Sequence, residues 1–181
     1  MKSIIATVIF LCTGISLQAQ VDRTNFRAGV NAGAVVGDFS DGYSFSIGLD
    51  LVYHWGISKA FDVGLATGFT NAFGESGTFS GNVVGFDTEL EGDLVNIETE
   101  FEDAQFLPVA ASVRYYPTYH FKFGGDVGYA IGINDGNEGG IYYRPVVGYN
   151  ITGNTELHVS YTAIEDDSTF ETLVLGVLFL F

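Results

Sequence analysis

The chain has 181 residues, with 22 acidic and 7 basic side chains, a formal net charge of -15, 24 Gly, 16 Phe, 10 Tyr and a single Cys. So many aromatic residues exclude intrinsic disorder, one Cys excludes a disulfide scaffold, and the missing basic footprint excludes a nucleic-acid partner. The length is that of one domain.

The first element is an address. Lys2, the apolar run Ile4 to Ile15 and the approach Ser16-Leu17-Gln18-Ala19 read as a secretory leader over residues 1–19, cleaved after Ala19. The run falls short of the roughly 20 residues that a spanning helix needs. Cys12 follows Phe10-Leu11 inside this run, so it is not read as a lipid-attachment site.

Beyond the leader the hydrophobicity has period two. Tyr43, Phe45, Ile47, Leu49, Leu51, Tyr53 and Trp55 alternate with Ser44, Ser46, Gly48, Asp50, Val52 and His54. The same alternation runs from Phe61 to Phe73 and from Phe121 to Ile133, and weaker versions complete a set of strands near 26–37, 43–55, 61–74, 104–116, 121–134, 141–151, 155–165 and 170–181. Each reaches or exceeds the 9–11 residues, approximately, that a tilted strand needs to cross a bilayer. Gly56 to Ala60, Pro117 to His120 and Thr152 to Asn154 are tight turns on one side, whereas residues 75–103 form a long connection on the other. The fold class is therefore all-β, an eight-stranded antiparallel up-and-down transmembrane β-barrel over residues 20–181 with a long acidic loop at about 75–103.

A secreted barrel of lipocalin type would turn its apolar face inward. Here the second face carries Gly, Ala, Ser and Thr instead of the Lys and Glu that a solvated surface needs, so the bulky face is assigned to lipid and the small face to the lumen. In that register Arg27, Arg114, Lys122 and Arg144 point inward together with Asp50, Asp62, Asp126 and Glu156. Four positive and four negative groups predict an interior ion-pair network, supported by Asn31, His54, Tyr116 and Asn150, in a lumen narrow enough for side chains to fill. General diffusion is not expected; a gate or proton path is the functional alternative to filling.

Tyr53, Trp55, Phe61, Tyr115, Tyr119, Phe121, Tyr149, Phe179 and Phe181 gather at the tight-turn rim, and Phe73, Tyr143 and Phe170 at the loop rim, as interface aromatics should. The last strand places Leu173, Leu175, Val177, Phe179 and Phe181 outward. An alternating strand ending in Phe resembles the C-terminal signal that barrel-assembly machinery recognises in bacterial outer-membrane proteins, which assigns Leu175, Val177, Phe179 and Phe181 to assembly. With the leader and eight strands, the chain resembles the small OmpA/OmpX-like outer-membrane β-barrel superfamily. The resemblance rests on pattern and implies a Gram-negative outer-membrane location, with tight turns and both termini periplasmic, and contact with outer-membrane lipid and lipopolysaccharide. With no cell-wall-binding segment after Phe181, tethering is not expected.

Nine carboxylates and no base lie between Glu75 and Asp103, and Asp38, Asp41, Asp135, Glu138, Glu165, Asp166, Asp167 and Glu171 join them at the loop rim. The rim is negative, either as a solvated face or as weak divalent-cation ligands bridging to lipopolysaccharide. Asn134 to Glu138 is similar in part to a calcium loop but lacks the remaining ligands, so no metal and no cofactor is assigned. Val95, Ile97, Thr99 and Phe101 keep the odd phase of the fourth strand, which suggests a hairpin with Val83 to Leu90 through Glu91-Gly92-Asp93, similar to that of OmpX-like proteins, whose open edge accepts a protein partner.

His158-Val159-Ser160, with Glu156 and Glu171, resembles the outer-membrane lipid A deacylases, since acyl hydrolysis needs a base, a nucleophile and an orienting acid. Tyr161 stands where that family has Asn, and the spacing to Glu171 is off by one. The expected function is thus non-enzymatic, structural or adhesive; a narrow cation-preferring channel, an accessory subunit of a larger outer-membrane complex and a deacylase-like hydrolase are the alternatives.

Overall fold

The structure, a computed structural model, describes residues 25–81 and 95–181, and the leader at 1–19 lies outside them. Eight strands close on themselves: β1 (Asn25–Val36), β2 (Tyr43–Gly56), β3 (Phe61–Gly74), β6 (Ala104–Tyr115), β7 (Phe121–Gly132), β8 (Gly140–Thr152), β9 (Thr155–Glu165) and β10 (Thr169–Leu180). Between β3 and β6 a two-stranded sheet, β4 (Ser76–Gly81) with β5 (Val95–Glu100), stands apart from the barrel. Every neighbour pair is antiparallel, and the barrel closes where β1 meets β10, from Arg27 opposite Leu180 to Val36 opposite Glu171.

The two faces follow from side-chain size. Alternating residues of β2 from Ile47 to Trp55 are exposed while Ser46, Asp50, Val52 and His54 are buried. Large apolar residues cover the outside all round, with Leu65 58% and Leu175 60% exposed. Water cannot tolerate so continuous a belt, and hydrocarbon can. Leu175 is the seventh of the twelve residues of β10, near the middle of the belt. Leu175→Arg is expected to cost about 2–4 kcal/mol, the penalty of a cation at the bilayer midplane. Urea unfolding in lipid vesicles, followed by the fluorescence of the one tryptophan, Trp55, measures it; an unchanged midpoint would reverse the assignment of the faces.

Inside, the barrel is stratified. Its tight-turn half and middle hold charged groups, whereas its loop half holds Val35, Ala72, Ala104, Phe106, Ala130, Tyr142, Ile164 and Phe170 as an apolar plug. Phe170 was assigned to the outer loop rim, but it is buried in the lumen, with ring centroids 5.2 Å from Phe106 and 5.6 Å from Phe39. Tyr43, read as outward, also turns in and meets Phe170 edge-on at 5.5 Å. A register shift between Tyr43 and Phe45 is the cause, because one irregular residue flips every side chain beyond it to the other face.

Small residues line the interior where long ones need space. A Cβ on Gly148 would lie 2.5 Å from Lys122 Cε, and one on Gly176 would lie 2.3 Å from His158 Cε1. Both positions are glycine because a buried cation or imidazole already occupies the volume.

The hairpin differs from the one anticipated. Val95–Glu100 is a strand, but it pairs with Ser76–Gly81, from Gly81 opposite Val95 to Ser76 opposite Glu100. The expected partner Val83 to Leu90 and its turn at Glu91-Gly92-Asp93 lie outside the described residues.

Candidate functional site

Two regions carry chemistry: the charged layer within the barrel and a cavity at its loop mouth. In the first, Asp126 is the centre. It accepts two hydrogen bonds from Arg114, at 2.7 and 3.1 Å, and one from Arg144 Nε at 2.9 Å. Arg144 continues to Asp50 at 2.5 Å, and Asp50 takes a further bond from Asn31 at 2.8 Å and has His158 Nε2 at 3.4 Å. Nearer the tight turns, Glu156 forms ion pairs with both Arg27 and Lys122. The charged groups of both clusters are buried, and a charge in such a place is tolerated only when it is paired.

Of the eight charged residues singled out in the sequence, seven fall into these two clusters. Asp62 does not. It is opposite Arg114 in register, but the Arg114 guanidinium turns to Asp126, and Asp62 lies beside the Tyr116 phenol at the tight-turn end. His54 Nε2 is 2.8 Å from Ser112 Oγ. Asn150 reaches out of the lumen, donating to the Tyr119 carbonyl at 2.9 Å. Sequence reasoning left His158 out of the charge network because it was considered as a base beside Ser160; its even phase on β9, shared with Glu156, was the available signal. The outer strand positions Leu175, Phe179 and Phe181 are exposed, Val177 is half-exposed, and Phe181 donates its amide to the Phe26 carbonyl at 2.9 Å.

The hydrolase-like constellation does not assemble. His158 and Ser160 are buried in the lumen, while Glu171 lies on the other face of the sheet, where it accepts a hydrogen bond from the Tyr161 hydroxyl. Alternation decides this: an odd position on β10 cannot share a face with the even positions of β9 that oppose even ones.

The second region is a cavity of about 440 Å³ at the loop mouth. Phe39, Tyr43, Phe106 and Phe170 form its floor, and the exposed carboxylates of Glu102, Asp135, Glu138, Asp166 and Asp167 stand around it. Its wall at residues 133–139 is tied down: Asn134 Oδ1 accepts from the Gln105 amide at 2.9 Å, Asn134 Nδ2 donates to the Asp103 carbonyl at 2.7 Å, and Asn137 Nδ2 donates to the Gln105 carbonyl at 2.9 Å. Asp103 accepts from Asn71 Nδ2 at 3.0 Å and from the Gly74 amide at 3.1 Å, and these two bonds hold its carboxyl below the ordinary carboxylate range. Every Lys and Arg among the described residues lies in the lumen or, for Lys59, at a tight turn. No three His, Cys, Asp or Glu among the described residues converge to hold a metal ion. A second cavity of about 470 Å³ opens at the tight-turn end beside Arg27, Asp62 and Tyr116.

No protein-family model and no curated protein sequence matches the chain. Solved structures do. A de novo designed transmembrane β-barrel is similar at a TM-score of 0.52 and 12% identity, over 87% of this chain and 95% of the other. Ail, the attachment invasion locus protein of Yersinia pestis, is similar at 0.51 and 18% identity, over 87% and 97%. The N-terminal β-barrel domain of Pseudomonas aeruginosa OprF is similar at 0.51 and 13%, over 87% and 97%. The chain has the fold of the small eight-stranded outer-membrane β-barrels.

Proposed function

We propose that the protein is a non-enzymatic barrel of the Gram-negative outer membrane that works by surface interaction at its loop rim, with the tight turns and both termini in the periplasm. The observation that carries this reading is the filled interior: an apolar plug over an ion-paired layer leaves no open passage for general diffusion, so the chemistry left to the molecule is at its surfaces. Two surfaces suit it. The β4–β5 sheet is separate from the barrel, and no third strand pairs with it among the described residues, so its outer edges can receive a strand from a partner. The acidic mouth repels anions and attracts cationic groups. Ail, named for attachment, shares the fold and lends support to the adhesive role. Outer-membrane lipid and lipopolysaccharide surround the belt, and Leu175, Val177, Phe179 and Phe181 serve as the signal read by the assembly machinery.

The orientation has a direct test. Asp167→Cys is expected to react with a membrane-impermeant maleimide on intact cells, and Lys59→Cys only after the outer membrane is opened. The reverse pattern would place the acidic rim in the periplasm and end the surface reading. A narrow cation-preferring channel is favoured by one observation, the cavities at both mouths. Reproducible conductance steps in planar bilayers would establish it in place of the filled lumen.

A further inference from the structure

The loop-mouth cavity combines three features that a merely solvated acidic face does not need. It is concave, and its volume lies within the range of small-ligand pockets, about 300–1,000 Å³. Its floor is aromatic: Phe39 and Tyr43 are half-buried, lie toward an aqueous opening where no lipid covers them, and are braced from below by Phe170. Its wall is held by the side chains of Asn134 and Asn137, so little ordering remains to be done on binding.

The chemistry of an occupant follows by elimination. Anions are repelled by five carboxylates with no basic residue among the described loop residues. A metal ion needs several ligands brought to one point, and the carboxylates are dispersed. A neutral apolar molecule gains from the floor but nothing from the rim. A cation that also presents apolar surface gains from both, because ring faces attract positive charge and the rim lowers its energy on approach.

We propose that the loop-mouth cavity binds an organic cation of the quaternary-ammonium or guanidinium class, seated on Tyr43 and Phe39 and encircled by Glu102, Asp166 and Asp167. This deepens the surface-interaction reading by naming the ligand chemistry of its acidic mouth. The two sources of such a group, a free ammonium compound and an arginine side chain on a partner protein, share this chemistry and are separated by the probes.

The test uses the full mature chain in detergent micelles. Choline and N-acetyl-arginine amide are titrated by calorimetry, beside 3,3-dimethylbutan-1-ol, the neutral counterpart of choline. Saturable binding of at least one cation is expected, with the neutral alcohol about tenfold weaker, the scale of a well-placed cation–π contact with carboxylate support. The tighter cation identifies the source. Tyr43→Leu is expected to weaken binding by about fivefold to tenfold, as loss of such a contact should. Because Tyr43 also packs on Phe170, Asp166→Asn combined with Asp167→Asn provides a second variant on exposed positions, which should weaken binding and flatten its salt dependence. Equal binding of the neutral alcohol, no saturable binding of either cation, or displacement by calcium chloride with unit stoichiometry would overturn the proposal. Any of these leaves the maleimide result untouched, so the ligand class fails separately from the orientation.

Discussion

Asp126→Ala should destabilise the protein by about 3–5 kcal/mol, the cost of removing one partner from a buried ionic cluster. Asp126 satisfies two guanidinium groups at once, those of Arg114 and Arg144, and has no exposed surface itself. Its removal leaves Arg114 with no carboxylate, only the Val113 and Gly125 carbonyls, and Arg144 with Asp50 as its one carboxylate. Both cations are buried, so what is lost is not made good at the surface. The exposed Glu165, changed to Gln, serves as the control and should stay within about 0.5 kcal/mol of the parent. Urea titration in lipid vesicles compares the two, and a loss for Asp126→Ala no greater than that of the control would show that the network does not stabilise the barrel.

Phe170→Ala is expected to cost nearly as much, about 3–5 kcal/mol, by a different mechanism. The ring is packed against Phe106, Tyr43 and Phe39 with centroid separations of 5.2, 5.5 and 5.6 Å. Strand backbones around it are fixed by the closed hydrogen-bond ladder, so the hole cannot collapse and the transfer and cavity costs add. The same variant should remain silent in planar bilayers, because the ion pairs of Arg114 with Asp126 and of Arg144 with Asp50 still cross the lumen beneath. A midpoint shift below about 1 kcal/mol would mean that the plug is loosely packed, and openings would mean that it is the sole barrier.

Strand positions were legible in the sequence because alternation of bulky and small residues is imposed by the pleat itself. Each of the eight barrel strands begins and ends within about two residues of its anticipated limits. Interior charges were legible for the same reason, since Asp50, Asp126 and Arg144 occupy the small-residue phase. What escaped was anything that breaks the alternation or depends on partners distant in the chain. The irregularity at Tyr43 and Phe45 sends Tyr43 inward. Phe170 sits at an inward position, and an aromatic residue near a strand end is read more readily as an interface anchor than as a plug. Whether Arg114 selects Asp62 or Asp126 depends on angles across neighbouring strands, which spacing does not encode. The pairing of Val95–Glu100 with Ser76–Gly81 escaped as well, because spacing favours a local turn over the longer connection.

The seam between β1 and β10 constrains how the molecule is made. Arg27 lies opposite Leu180, so the seam joins the first and last strands of the barrel. The wall cannot close before β10 is present to meet β1, and pairing at such sequence separation is slow. Until the seam closes, the sheet keeps two unpaired edges and an uncovered greasy face, and such a surface in water is prone to clump.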